Sequence, residues 1–239
     1  MTLSRLTQIV LAAWLLCVGS TAALAQAMSH AEAAREFEKL KSRLAELEKP
    51  LLAVAPDDQA KFADFLREAD TGLIRLLPRE KYDGRLEIRG GGAYYSFVRK
   101  THEYGYGSDI QLSQNEFGVG FAGMDFGYLL KLGDVPLELL TAEHPAVAAL
   151  QAYQPKRTEA EIRAENRHAY QGVPFGGFTG KRRVPANVDT TYLLRSVCID
   201  NSDVLVALRT LRLDSDASMI LLWKILHHFP KPTAVREER

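Results

Sequence analysis

Three β-rich runs in the last third of the chain, Thr190 to Ile199, Val204 to Leu213 and Ser218 to Phe229, are separated only by the polar turns Asp200-Asn201-Ser202-Asp203 and Asp214-Ser215-Asp216-Ala217. Runs of this kind, bounded by short Asp, Asn and Ser clusters, predict a three-stranded antiparallel meander. With two-residue connections, Leu193, Val197, Ile199, Val204, Val206, Leu208, Leu221, Trp223 and Ile225 share a core face, and Ser196, Cys198, Arg209 and Lys224 the other. Side chains alternate with period two, so a slip of one residue in either turn exchanges the faces of the strands beyond it.

The first third has a different period. From Ser29, the residues Ala33, Phe37, Leu40, Leu44, Leu47 and Leu51 recur at alternating steps of four and three, which predicts one apolar helix stripe. Ser29 and Glu32 form a capping-box pattern at its start, and Pro50 marks its end or a bend. The stripe is expected to pack on the protein's own domain; a short coiled-coil seam is the alternative. A second helix is expected to open at Pro56-Asp57-Asp58 and run through Phe62, Phe65, Leu66, Ala69 and Leu73, completing a helical hairpin.

Past Pro78 the chain turns to glycine, tyrosine and short alternating segments. Strands are expected at Arg85 to Arg89, Ala93 to Lys100, Asp109 to Ser113, Phe117 to Ala122 and Gly127 to Leu132, with Gly90-Gly91-Gly92 as a turn or bulge. Helices are expected at His144 to Tyr153 and at Thr158 to Tyr170, the second with a Thr158/Glu161 capping box and a mostly polar surface. Gln171 to Ala186 reads as a long loop. The whole is an α+β fold: an N-terminal helical hairpin on a mostly antiparallel β-sheet or partly open barrel, ending in the meander. The expected segments are 26–78 (helical) and 79–239 (β-rich, with a helical insertion near 144–170).

Residues 1–25 carry one cation, Arg5, an apolar run from Ile9 to Val18 and the small-residue ending Ala23-Leu24-Ala25. That is the layout of a cleavable secretory signal, so the mature protein is expected to start after Ala25 and to be periplasmic or extracellular. The rival reading, a retained anchor, needs about 20 apolar residues, and this run is shorter. The chain has 30 Lys+Arg and 30 Asp+Glu. Losing Arg5 leaves 29 basic against 30 acidic residues, a balance that supplies no field to steer the protein onto nucleic acid or an anionic membrane. The expected partner is a small molecule or a protein. Of two cysteines only Cys198 follows the leader; without a partner for an internal disulfide, stability has to come from a core.

The densest polar and aromatic stretch, Thr101 to Asp109, falls between two expected strands, where binding loops sit. Here His102 could serve as a general base oriented by Glu103 or Asp109, with Asp125 as a further carboxylate. Tyr104 and Tyr106 offer ring faces and hydroxyls to a ligand. The cluster Lys181-Arg182-Arg183 could grip an anion.

Gly118-Val119-Gly120-Phe121-Ala122-Gly123 has the letters of a dinucleotide fingerprint, but no helix is expected after it, so close or bulged strands explain its glycines better. No cofactor is expected. The histidines are scattered, and His227-His228 on a strand point to opposite faces, so no metal site is expected. The preferred expectation is an exported, non-catalytic domain that binds a ligand or partner through the loops around His102 to Asp109 and Lys181 to Arg183. The alternatives are a secreted hydrolase using His102 with a nearby carboxylate, and an envelope scaffold acting through the first helix.

Overall fold

The computed structural model describes residues 29–102, 104, 105 and 107–235. The expected leader and its cleavage point lie outside them. The chain divides into two units, Met1–Arg43 and Leu44–Arg239, and the division falls inside helix α1, His30–Leu52. In the first unit the capping box forms: the Glu32 amide donates to Ser29 Oγ at 3.2 Å, and the Ser29 amide donates to the Glu32 carboxylate at 2.9 Å. Phe37 and Leu40 are exposed there. In the second unit Leu44, Leu47 and Leu51 are exposed as well. The buried residue of α1 is Glu48, whose carboxylate accepts the amides of Glu87 and Ile88.

The second helix is shorter than its spacing predicts. Helix α2, Pro56–Lys61, opens on proline, a 3-10 turn covers Phe65–Arg67, and strand β1 takes Thr71–Leu76. Thr71 Oγ1 donates to the carbonyls of Phe65 and Glu68, closing the turn. The helical spacing that extended to Leu73 yields to pairing of the whole of β1 with the last strand, from Thr71 opposite Lys224 to Leu76 opposite Met219. Tertiary pairing here outweighs local periodicity.

A short helix α3, Arg79–Tyr82, leads to a segment of turns in place of the strand expected at Arg85 to Arg89. Two of its amides are already taken by Glu48 and have no ladder to join. Then come β2 (Tyr94–Tyr95), β3 (Ile110–Ser113), β4 (Glu116–Gly118) and β5 (Phe126–Gly133). Helices α4, Pro145–Ala152, and α5, Glu159–Gln171, stand where they were expected, the latter with its Thr158/Glu161 capping box complete.

The expected loop from Gln171 to Ala186 is instead three short strands: β6 (Val173–Phe175), β7 (Phe178–Lys181) and β8 (Arg183–Pro185). Gly176 and Gly177, both at positive φ, turn β6 into β7 and set Phe175 opposite Phe178. A Gly-Gly pair suits a two-residue hairpin turn of this kind. The meander is β9 (Thr191–Cys198), β10 (Ser202–Leu213) and β11 (Met219–His228).

All ladders between these strands are antiparallel. They build a seven-stranded sheet, β1-β11-β10-β9-β5-β7-β6, and a four-stranded sheet, β2-β3-β4-β8. Both have free edge strands, so neither closes into a barrel.

The register of β9 differs from the two-residue expectation. Cys198 pairs with Ser202 and Leu194 with Val206, so the connection has three residues, with Asp200 at φ +61°. A three-residue hairpin loop ordinarily includes one residue in the left-handed region. In consequence Tyr192 and Leu194, not Leu193 and Val197, join Val204, Val206, Leu208, Leu221, Trp223 and Ile225.

That face packs on Tyr95, Phe97, Ile110, Leu112 and Phe117 of the smaller sheet and its flanks. The opposite face, with Tyr128, Leu130, Leu193, Leu205 and Leu222, packs on Ala146, Val147 and Leu150 of α4 and on Ala169 of α5. The large sheet is therefore the middle of three layers. Each fully buried Leu or Phe contributes about 1.5–3 kcal/mol, so the core is spread over two interfaces.

Candidate functional site

The described residues of the stretch from Thr101 to Asp109 do not gather their polar groups. His102 is largely enclosed: its Nε2 lies 2.8 Å from the Arg75 carbonyl, and its ring stands edge-on to Tyr95 at 4.9 Å. Burial pushes its pKa down to about 4, against the upward pull of that carbonyl. The neutral ring with a proton on Nε2 fits this contact.

Asp109 is fully buried and accepts the Phe97 amide at 2.8 Å. Burial raises its carboxyl to about 6. Asp125 is also buried, and burial lifts it to about 7, with the Asp109 charge pushing the same way and the Ile199 amide opposing. Cys198 Sγ lies 3.9 Å from Asp109 Oδ1, and burial with these two carboxylates pushes the thiol well up, so the sulfur stays protonated. Among the described residues no hydrogen bond joins His102 to Asp109 or Asp125. Glu103 and Tyr106 lie outside the described residues.

The basic cluster also separates. Lys181 is exposed at the end of β7. Arg182 donates through Nε to the Val119 carbonyl at 3.1 Å and through Nη2 to that of Gly120, with its guanidinium 5.0 Å from the Tyr170 ring centroid. Its donors hold the 118–123 turn. That turn runs from β4 to β5 without a helix. A Cβ on Gly120, at φ +70°, would stand 2.6 Å from Phe126 Cα, so close backbone approach explains this glycine.

Arg183 points elsewhere, into a cleft of about 510 Å³ that Tyr104 also lines. One wall of the cleft is aromatic. The Tyr94 ring meets Tyr104 at 4.8 Å and Phe121 at 5.1 Å, both inclined, an arrangement that aligns ring edges with ring faces. Gln111 Nε2 donates to the Tyr94 hydroxyl at 2.7 Å, locking that ring from beneath. Gly90, at φ +79°, makes the crowding possible.

The cations are Arg79, Arg89 and Arg183, and the carboxylates Asp83 and Glu87. Arg79 is engaged by Asp83 at 3.0 Å, and Arg183 approaches Glu116 at 3.8 Å. Arg89 is exposed, stands over the Tyr104 ring at 5.7 Å, and has no carboxylate within ion-pair distance among the described residues.

The fold thus unites two of the sequence candidates, Tyr104 and Arg183, with Arg79, Arg89, Tyr94, Gln111 and Phe121, which sequence reasoning missed. The signal was present in Arg89-Gly90-Gly91-Gly92-Ala93-Tyr94, a cation and an aromatic flanking a triplet read only as a turn.

A second cleft of about 280 Å³ lies between Tyr153 and Phe229, over the buried pair Arg195 and Asp203. All three guanidinium nitrogens of Arg195 donate, Nε and Nη2 to Asp203 at 2.6 and 2.8 Å and Nη1 to the Leu150 carbonyl at 2.8 Å. Among the described residues no group of three or more His, Cys, Asp or Glu is arranged to hold a metal, and no helix is long and apolar enough to cross a membrane. Compared with known protein families, curated proteins and solved structures, the chain matches none.

Proposed function

We propose that this chain is an exported, non-catalytic binding domain whose ligand site is the cleft between Arg89, Tyr104 and Arg183, and that the ligand is a small organic anion. The observation that carries the reading is the Arg89 guanidinium, exposed, without a carboxylate partner among the described residues, and set over an aromatic wall. At about 510 Å³ the cleft has the size of ordinary small-molecule sites, with a lining more charged than theirs. Arginine at such a wall favours carboxylates and phosphates.

The hydrolase alternative has less support. A general base has to be free to take a proton near neutral pH, whereas His102 is held at about 4 by burial and faces a backbone carbonyl. Asp109, one of its proposed partners, accepts the Phe97 amide instead. Export rests on the leader pattern alone.

A thermal-shift screen of small organic anions against the wild-type chain and Tyr104→Leu tests the reading. Anions that stabilise the wild type and lose that effect in the variant are expected. If every stabilising compound acts equally on both, or if none stabilises, the reading fails.

A further inference from the structure

We infer that the anion recognised by the cleft is aryl: a carboxylate or phosphate joined directly to a planar aromatic ring. This rests on the reading of the cleft as the ligand site and adds which chemistry it takes.

Two distances carry it. The centre of the Arg89 guanidinium is 5.7 Å from the centroid of Tyr104, so this cation, without a carboxylate partner among the described residues, lies beside the aromatic wall. A ligand that meets both at once carries its charge within a bond or two of its flat part. A long spacer between charge and ring would place one of them outside the cleft.

The second distance is the 4.8 Å between the rings of Tyr94 and Tyr104, inclined at 57°. With Phe121 inclined at 73° to Tyr94, the partly exposed rings of Tyr104 and Phe121 stand on the buried Tyr94 and form an inclined aromatic wall. Such surfaces favour another aromatic ring over a saturated one of the same size, because edge and face carry opposite partial charge. The planar guanidinium adds a fork that matches two oxygens of a carboxylate or phosphate.

The charge balance also limits the ligand. Three arginines face two carboxylates in the lining; Arg79 is committed to Asp83 and Arg183 approaches Glu116, which leaves Arg89 as the cation on offer. The excess suits one anionic group rather than a polyanion such as a nucleic acid or a heparin-like chain, which needs many cations at once.

Ligand-observed NMR titration of the full chain with four probes tests this: benzoate, phenyl phosphate, cyclohexanecarboxylate and inorganic phosphate. The two aryl anions are expected to bind at least about ten-fold more tightly than cyclohexanecarboxylate and inorganic phosphate. In Arg89→Gln their affinity is expected to fall by about ten-fold. Arg89 is exposed, and an unchanged circular dichroism spectrum would show that the variant is folded.

The tighter of the two aryl probes identifies the anionic group as carboxylate or phosphate. Equal binding of benzoate and cyclohexanecarboxylate overturns the ring requirement. Equal binding of inorganic phosphate and phenyl phosphate overturns the combined site. If all four probes fail while the thermal-shift screen finds a Tyr104-dependent ligand, the aryl assignment is wrong and the cleft remains the site. If that screen also fails, both readings fall.

Discussion

A Cβ added to Gly90 would stand 2.4 Å from Cδ2 of Tyr94. The same atom would lie 2.9 Å from the Cβ of Tyr104, and the residue sits at φ +79°. Gly90→Ala therefore meets two penalties, a left-handed backbone and a collision with the ring that forms the cleft wall. The expected cost is about 1–3 kcal/mol of stability in urea denaturation, together with loss of ligand binding in the cleft.

The buried pair Arg195 and Asp203 makes a second prediction. Their side chains are 1% and 3% exposed, and the guanidinium stacks 3.2 Å from the Phe229 centroid. Arg195→Met strands a buried carboxylate and is expected to cost about 3–5 kcal/mol. Replacing both residues with apolar ones is expected to recover much of that loss. A double-mutant cycle by chemical denaturation measures the coupling, and purely additive losses would contradict it.

Much of the fold was legible in the sequence, and the misses have identifiable causes. The meander and helices α4 and α5 show in apolar runs, polar turns and the Thr158/Glu161 box, all of them local signals. Strand β1 was hidden because Phe62, Phe65, Leu66 and Leu73 fit a helical spacing; its strand form depends on β11, some 150 residues later. The faces of β9 turned on one extra residue in the 199–201 connection. The site was half legible. Tyr104 and Arg183 were marked by composition, but Arg79 and Phe121 reach the cleft only through tertiary packing.

Glu165 fixes α5 to the large sheet, since its Oε1 accepts the hydroxyls of both Tyr128 and Tyr153, the latter at 2.6 Å. Glu165→Leu removes the acceptor that two largely buried hydroxyls share and leaves them only each other. About 2–4 kcal/mol of stability is expected to go with it. Glu165→Gln retains an acceptor and is expected to lose less. Equal losses in thermal denaturation would show that the hydroxyls have other partners.

The buried acids Asp109 and Asp125 give a pH dependence of unusual sign. Burial holds them at about 6 and about 7, above the ordinary value of 3.8, and the folded chain therefore binds more protons than the unfolded chain between about pH 4 and pH 7. The stability they contribute is fully present below about pH 4 and is lost as pH rises through 6 to 7. A decline on the order of 3 kcal/mol is expected from about pH 5 to about pH 8. Asp216, held at about 2 by Ser218, Tyr82 and Arg75 against the effect of its own burial, acts in the opposite sense and at lower pH. Asp125→Asn mimics the protonated acid and is expected to flatten the decline in urea midpoints over that range. An unchanged slope would contradict the assignment.

The central claim is that ligand enters the cleft beside Arg89. Amide chemical-shift mapping with a compound from the thermal-shift screen tests it most directly. The account predicts that the largest shifts fall on Arg89, Gly90, Tyr104 and Phe121. Shifts centred instead on His102, or on Tyr153 and Phe229 around the second cleft, would contradict it.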